Sequence, residues 1–348
     1  MAYTTIDDPS AHFQTLLYTG NATDNRSITN SANAGNFKPD WVWGKNRTSA
    51  GRHTLADSSR GPTKNIFSER NDAEATEANV LQAFETNGFQ IGSDTRLNDN
   101  NASFVAWQWK ANGGTTSSNT DGSITSTVQA NTTAGFSIVT YTGNGSDNAT
   151  VGHGLGKIPA MMIVKNRDDS DHWGVWHQGF DAHTSYNSLS QAITTINNDD
   201  IFKAFSSTLF TLGTDSWSNT NNEKYVAYCF SEIQGYSKFG SYTGTNNADG
   251  AFVYTGFKPA WLMVKRTADA GRAWVIHDNT QDPHNVTANR LDANTSEENQ
   301  SSGHFDFLSN GFKCRSTEGA TNAASPYVVM AFAEHPFVSS KGVPTTAR

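Results

Sequence analysis

The chain has 348 residues, of which 36% are hydrophobic and 17% charged, with a formal net charge of −8. Both fractions lie below ordinary globular averages, and Asn, Ser, Thr and Gly, the residues of turns and polar β surfaces, make up the difference. The acidic balance, without a Lys/Arg cluster, excludes a nucleic-acid surface; two cysteines are too few for a disulfide framework, and no apolar run approaches the roughly 20 residues of a membrane-spanning helix.

Residues 1–11 read as an N-terminal arm. Met1-Ala2-Tyr3-Thr4-Thr5-Ile6-Asp7-Asp8 has no basic n-region and no apolar h-region, so no secretion signal is expected. The first of three copies of one pattern follows over 12–110. It opens with Tyr18-Thr19-Gly20, continues with Lys38-Pro39-Asp40-Trp41-Val42-Trp43-Gly44-Lys45 and closes with Phe104-Val105-Ala106-Trp107. A short helix is expected at 73–84, before a turn at Gly88. The stretch 111–134 reads as a flexible linker over 111–122, by its Gly, Ser, Thr and Asn content, with one strand candidate over 123–128.

The second copy, 135–235, carries Tyr141-Thr142-Gly143, Ile158-Pro159-Ala160-Met161-Met162-Ile163-Val164-Lys165 and Tyr225-Val226-Ala227-Tyr228. The third, 236–338, carries Tyr242-Thr243-Gly244, Lys258-Pro259-Ala260-Trp261-Leu262-Met263-Val264-Lys265 and Tyr327-Val328-Val329-Met330; a tail, 339–348, ends the chain. Almost no linker separates these two copies, so they should form a stiff pair with copy one hinged on it. A period near a hundred residues is too long for a solenoid and suits small domains. Short β-branched and aromatic segments bounded by Gly, Asn and Asp are the pattern of an all-β chain. The expected fold is therefore three tandem β-sandwich domains, jelly-roll-like, of about 100 residues each. The Pro-led strand is apolar on both faces, which places it centrally or with one face against a neighbouring domain.

Few positions suggest chemistry. His177 and His277 occupy matching places, with Asp57 in copy one; a repeated ligand or base is one reading, a polar strand end the better one. Asp168-Asp169-Ser170-Asp171-His172 is the densest acidic run, but without calcium-loop spacing it reads as a solvated hairpin loop. Lys45, Lys165 and Lys265 recur, and each is expected to lay its stem on the sheet with its ammonium in water. The Gly-rich stretch Gly152-His153-Gly154-Leu155-Gly156-Lys157 leads into a strand, not a helix, and reads as a mobile turn. Cys314 matches Ile91 and Leu212 and reads as a small buried hydrophobe. Of the nine tryptophans, those on strands read as core. Trp217 lies in a polar loop and is the candidate exposed receptor contact. No catalytic residue, cofactor site or metal site is predicted.

The Tyr-Thr-Gly opening, the Gly-x-Gly-x-x-Pro lead-in and the Tyr-Val-Ala closing strand resemble tandem-repeat structural proteins of bacteriophages of marine bacteria, including cyanophages. So do the opening Ala2-Tyr3-Thr4-Thr5-Ile6-Asp7-Asp8-Pro9-Ser10 and the ending Phe332-Ala333-Glu334-His335-Pro336-Phe337. Copy one departs from this lead-in, with Asn33-Ala34-Gly35-Asn36 before Phe37. The resemblance implies a virion surface protein, made in the host cytoplasm and assigned to a tail fibre or particle surface. Its implied partners are other virion proteins and a host surface glycan or protein, with no nucleic acid and no membrane insertion. A homo-oligomer is expected, a trimer by analogy with fibre shafts. A non-enzymatic adhesin subunit is the leading expectation; a capsid or tail decoration protein is the alternative, and a glycan depolymerase a third reading, since paired carboxylates could be assembled in the fold.

Overall fold

The computed structural model describes residues 2–30 and 37–344. The variant lead-in at 33–36 and the end of the tail, 345–348, lie outside the described residues. The fold is almost entirely antiparallel β, and each copy of the sequence pattern folds into the same two-layer sandwich. The inner layer has the same strand order three times: an opening strand, the closing strand, the Pro-led strand and a return strand. The opening strands are Phe13–Thr19, Phe136–Thr142 and Ser237–Thr243. The closing strands are Ser103–Trp109, Lys224–Phe230 and Pro326–Pro336. The Pro-led strands are Trp41–Asn46, Met161–Asn166 and Phe257–Arg266, and the return strands Thr54–Asp57, Gly174–His177 and Trp274–Asp278.

The register fixes which residues correspond. Trp41 faces Trp109, Met161 faces Phe230 and Trp261 faces Phe332 across the Pro-led and closing strands. A separate outer layer of three strands covers one face of the inner layer in copies one and two; in copy three the corresponding strands, Gln300–Leu308, Gly311–Cys314 and Phe252–Tyr254, continue from the inner layer through Thr287–Asp292 as one eight-stranded sheet that folds back over it. In copy one it is Arg26–Thr29, Gly88–Ile91 and Leu81–Glu85. The helix expected at 73–84 is absent. Leu81–Glu85 pairs instead with Gly88–Ile91 in a hairpin, and Leu81 meets Ile91 in the core beneath. The short helix of this copy lies later, at Thr95–Asn98.

Copies one and three each pack a core of their own between their layers, and the opposite faces of all three inner layers meet in one shared cluster. Residues alternate along the inner strands, so one set packs on the outer layer and the other set faces away from it. In copy one the first set includes Val42, Ala56 and Ala106, packed with Phe89 and Ile91. The second set, Trp41, Trp43, Trp107 and Trp109, enters one hydrophobic cluster with Phe136, Met161, Tyr228 and Phe230 of copy two and Trp261, Met263 and Phe332 of copy three. Aromatic pairs join every couple of copies: Trp41 stacks on Tyr228 at 4.4 Å, Trp109 meets Trp261 at 5.7 Å and Phe230 meets Phe332 at 6.1 Å. The three copies thus surround a shared aromatic centre as a pseudo-threefold ring.

The flexible linker expected at 111–122 is also different. Ser117–Asn119 and Ser126–Asn131 are strands that extend the inner layer of copy two. The buried Asp40 carboxylate accepts from the N–H groups of Ala111 and Gly113, both at 2.8 Å, and Gln129 Oε1 accepts from those of Asn112 and Gly114. These buried acceptors, which composition does not display, remove the hinge. The two thiols, Cys229 and Cys314, are free and buried.

Candidate functional site

All loops that follow opening and Pro-led strands, or precede closing strands, lie at one end of the inner layers, because those strands alternate in direction. One device repeated three times holds them there. Asn98, Asn219 and Asn322 are fully buried. Each Oδ1 accepts, at 3.0 Å, from the backbone N–H just after Tyr-Thr-Gly, that of Asn21, Asn144 or Thr245. Each Nδ2 donates to two carbonyls, those of Thr23 and Gly92, Ser146 and Gly213, or Asn247 and Ser316. The hydroxyls of Tyr18, Tyr141 and Tyr242 donate to the carbonyl of the residue before each asparagine. The glycine of Tyr-Thr-Gly is required by close approach: a Cβ at Gly20, Gly143 or Gly244 would run into the carbonyl of Asp99, Thr220 or Ala323. The recurring sequence Ser/Thr-Asp/Glu-x-x-x-Asn at 93–98, 214–219 and 317–322 was the available signal for this device, and sequence reasoning missed it.

Trp217 sits in the middle copy of this motif, where copy one has Arg96 and copy three Ala320; its N–H donates to Asp215 Oδ1 at 2.8 Å. It does not stand clear in solvent. The indole is half-buried, with its ring 5.4 Å from His172 and 5.8 Å from Tyr186. The acidic run at 168–172 is tied to the same loop. Asn166 Oδ1 accepts from the N–H groups of Asp168 and Asp169, and Asp171 accepts from Asn166 Nδ2 and Ser216 Oγ. Trp217, His172 and the acidic loop therefore form one patch of the rim. Among the described residues no group of three His, Cys, Asp or Glu side chains is placed to hold a metal ion.

The seams between copies carry the remaining polar groups. Across the Pro-led and return strands Trp41 faces Asp57, Met161 faces His177 and Trp261 faces Asp278. The residue matching Asp57 and His177 is thus Asp278, not His277. The hairpin loop of copy three is one residue longer, and a one-residue slip sends each side chain to the opposite face. Asp57 accepts from Tyr228 Oη of copy two at 2.7 Å, His177 Nε2 donates to the Val329 carbonyl of copy three at 3.0 Å, and Asp278 accepts from Trp107 Nε1 of copy one at 3.0 Å. His277 faces its own sandwich core, edge-on to Phe305 at 5.1 Å. Burial lowers the imidazole pKa to about 3 at His53, about 4 at His177 and about 3 at His277.

A second circuit runs the other way round the ring. Trp173 Nε1 donates to the Phe67 carbonyl of copy one, Trp274 Nε1 to Ser188 of copy two, and His53 Nε2 to Asp292 of copy three, at 2.9, 2.8 and 3.1 Å. The three lysines lie beside it, and their ammonium groups are not in water as expected. Lys45 donates to Asn46 and Ser296 carbonyls, Lys165 to Asn166 and Asp169, and Lys265 to Ile193 and Arg266. Desolvation lowers each pKa to about 8. His153, in the Gly-rich turn, is buried and anchored to the Ser206 carbonyl at 3.2 Å. These groups are spent on backbone carbonyls and neighbouring copies, so their arrangement serves to lock the ring under its rim of loops. The model of a family described as a domain of unknown function (DUF7483) matches residues 8–336. No curated protein matches the chain.

Proposed function

The chain belongs to the DUF7483 family, and we propose that it is a non-enzymatic bacteriophage virion surface protein, an adhesin subunit that contacts the host envelope. The observation behind this reading is the rim. Three sandwiches locked around one core hold nine loop segments at one end, pinned by buried asparagines. A rigid scaffold presenting variable polar loops is how recognition surfaces are commonly built. The patch of Trp217, His172 and Tyr186 is the aromatic contact on that rim, and a host surface glycan or protein is its proposed partner. Other virion proteins would hold the opposite end. The proposed homo-oligomer, a trimer by the fibre resemblance, has to form through outer surfaces, since the inner faces are already buried against one another.

Purified protein should compete with the phage for adsorption to host cells. Trp217→Ala should weaken that competition severalfold. Because the indole is half-buried, it should also cost about 1–2 kcal/mol of stability, so binding is compared at a temperature where both proteins are folded. Unchanged adsorption at saturating protein would reject the adhesin reading. A second reading, a capsid or tail decoration protein, draws on the threefold ring itself, which matches the local symmetry of a particle shell. Electron microscopy of virions would show the chain lying flat on a shell or tube in that case, with no competition.

A further inference from the structure

The three seams are built alike but filled differently. At each one a carbonyl after the Pro-led strand, that of Arg167, Arg47 or Thr267, accepts from a backbone N–H of the neighbouring copy, that of Glu74, Asn299 or Thr195. The third corresponding position, three residues after Asp57, Asp278 or His177, is Arg60, Gln281 or Phe180. At the first seam Arg60, Glu74 and Arg167 form an ion-paired plug, with distances of 3.0 and 2.9 Å to the Glu74 carboxylate. At the second, Arg47 Nε and Asn299 Nδ2 both donate to Gln281 Oε1, at 2.8 and 3.0 Å. At the third seam the trio is Phe180, Thr195 and Thr267. None of the three is a long polar side chain, and a cavity of about 600 Å³ lies between copies two and three; the openings of similar size between copies one and three are walled by the charged Arg52, Glu69, Arg70, Glu297 and Glu298. Thr195 Oγ1 is buried there without a hydrogen-bond partner.

The geometry points to this cavity as a binding site for a neutral saccharide. Its volume lies within the roughly 300–1,000 Å³ of small-ligand sites. Phe180 and Tyr242 supply aromatic surface, and Thr195, Thr267 and Asn197 supply short hydroxyl and amide groups. Asp181 is the one carboxylate on the described walls, and they carry no Lys or Arg. Aromatic surface beside convergent hydroxyl and amide groups suits a ligand that is apolar on its ring faces and rich in hydroxyls at its edge. A wall without cations leaves an anionic ligand's charge unpaired. The assignment is separate from the virion role and from the Trp217 patch, which lies in copy two's rim loop and does not line the cavity.

The test uses the full chain, saturation-transfer NMR and titration calorimetry. The probes are maltotriose, mannotriose and a β-galactan trimer, with trigalacturonate as the anionic control. At least one neutral trisaccharide should bind, and trigalacturonate should not. Thr267→Arg, which introduces the residue found at the other two seams, should weaken binding by about tenfold or more, with the melting temperature maintained. If that variant melts early, the decision passes to Thr195→Val, which removes one hydroxyl without filling space and should weaken binding about three- to tenfold. Absence of binding by all three neutral sugars, equal binding of trigalacturonate, or undiminished binding by the deciding variant would each overturn the assignment. Adsorption competition reads the virion role independently. Sugar binding without competition would leave the cavity assigned and remove only the adhesin.

Discussion

At the scale of single residues, the buried asparagines and the seam lysines make opposite demands. An asparagine such as Asn219 satisfies three backbone groups that water cannot reach. Asn219→Ala should therefore cost about 3 kcal/mol or more in urea unfolding, since each orphaned buried group costs about 1–3 kcal/mol. The lysines are held charged against desolvation, with pKa lowered from 10.5 to about 8. The unfolded chain then binds more protons than the folded one above about pH 8, so stability rises with pH there, by up to about 1.4 kcal/mol per lysine per unit. Calorimetry between pH 8 and 9, below the range where exposed tyrosines of the unfolded chain ionise, should show the melting temperature holding or rising. The slope should flatten when the three lysines are replaced by Met. The buried imidazoles act at the acid end. Their folded pKa values lie below 6.5, so the stability they confer is present above pH 6.5 and is lost as pH falls towards 4. An acid titration whose midpoint did not shift on His177→Gln would contradict this.

At the scale of elements, period and pattern were legible where strands are concerned. The Pro-led strand, apolar on both faces, does have one face against neighbouring copies. Loop lengths were less legible. A single extra residue in one hairpin exchanged Asp278 for His277, because side-chain direction in a strand alternates with every residue. The helix expected at 73–84 failed for a related reason: Val80, Leu81 and Phe84 satisfy a helical spacing, yet the Asn87-Gly88 turn folds them back on Ile91. Gly, Ser and Thr content suggested freedom at 111–122, but the acceptors that anchor it, Asp40 and Gln129, are distant in sequence. Proteinase K should accordingly spare this segment at native pH. Asp40→Ala should make it the first site cut, as mapped by mass spectrometry; an unchanged cleavage order would show that the carboxylate does not hold it.

At the scale of the whole molecule, the three repeats were evident from the sequence, whereas their closure into a ring was not. An apolar inner face reads the same whether it covers a private core or a shared one. The asparagine device was written openly in the repeats, but its meaning depends on a buried geometry that composition does not convey. Trp217 lies in a polar loop as expected, but the His172 and Tyr186 rings that shelter it are brought up by another loop, after the Pro-led strand, and by the strand Ser185–Ser188. With the centre shared, unfolding should be one transition, with calorimetric and van't Hoff enthalpies in agreement. A chain of residues 112–235 alone should not fold as a monomer, because its Phe136, Met161, Tyr228 and Phe230 would face water. Three resolved calorimetric transitions, or a stable monomeric fragment, would refute the shared centre.

The covalent continuity of the ring has a further consequence. Seams between separate subunits carry a dissociation constant, and such an assembly comes apart when it is diluted far enough. Here each seam closes within one chain, where neighbouring units meet at an effective concentration of order millimolar or more however dilute the solution. The ring therefore persists as a single released molecule in an unbounded volume. Its three sectors can also differ one from another, as Thr267 differs from Arg47 and Arg167, a freedom that identical subunits encoded once do not have.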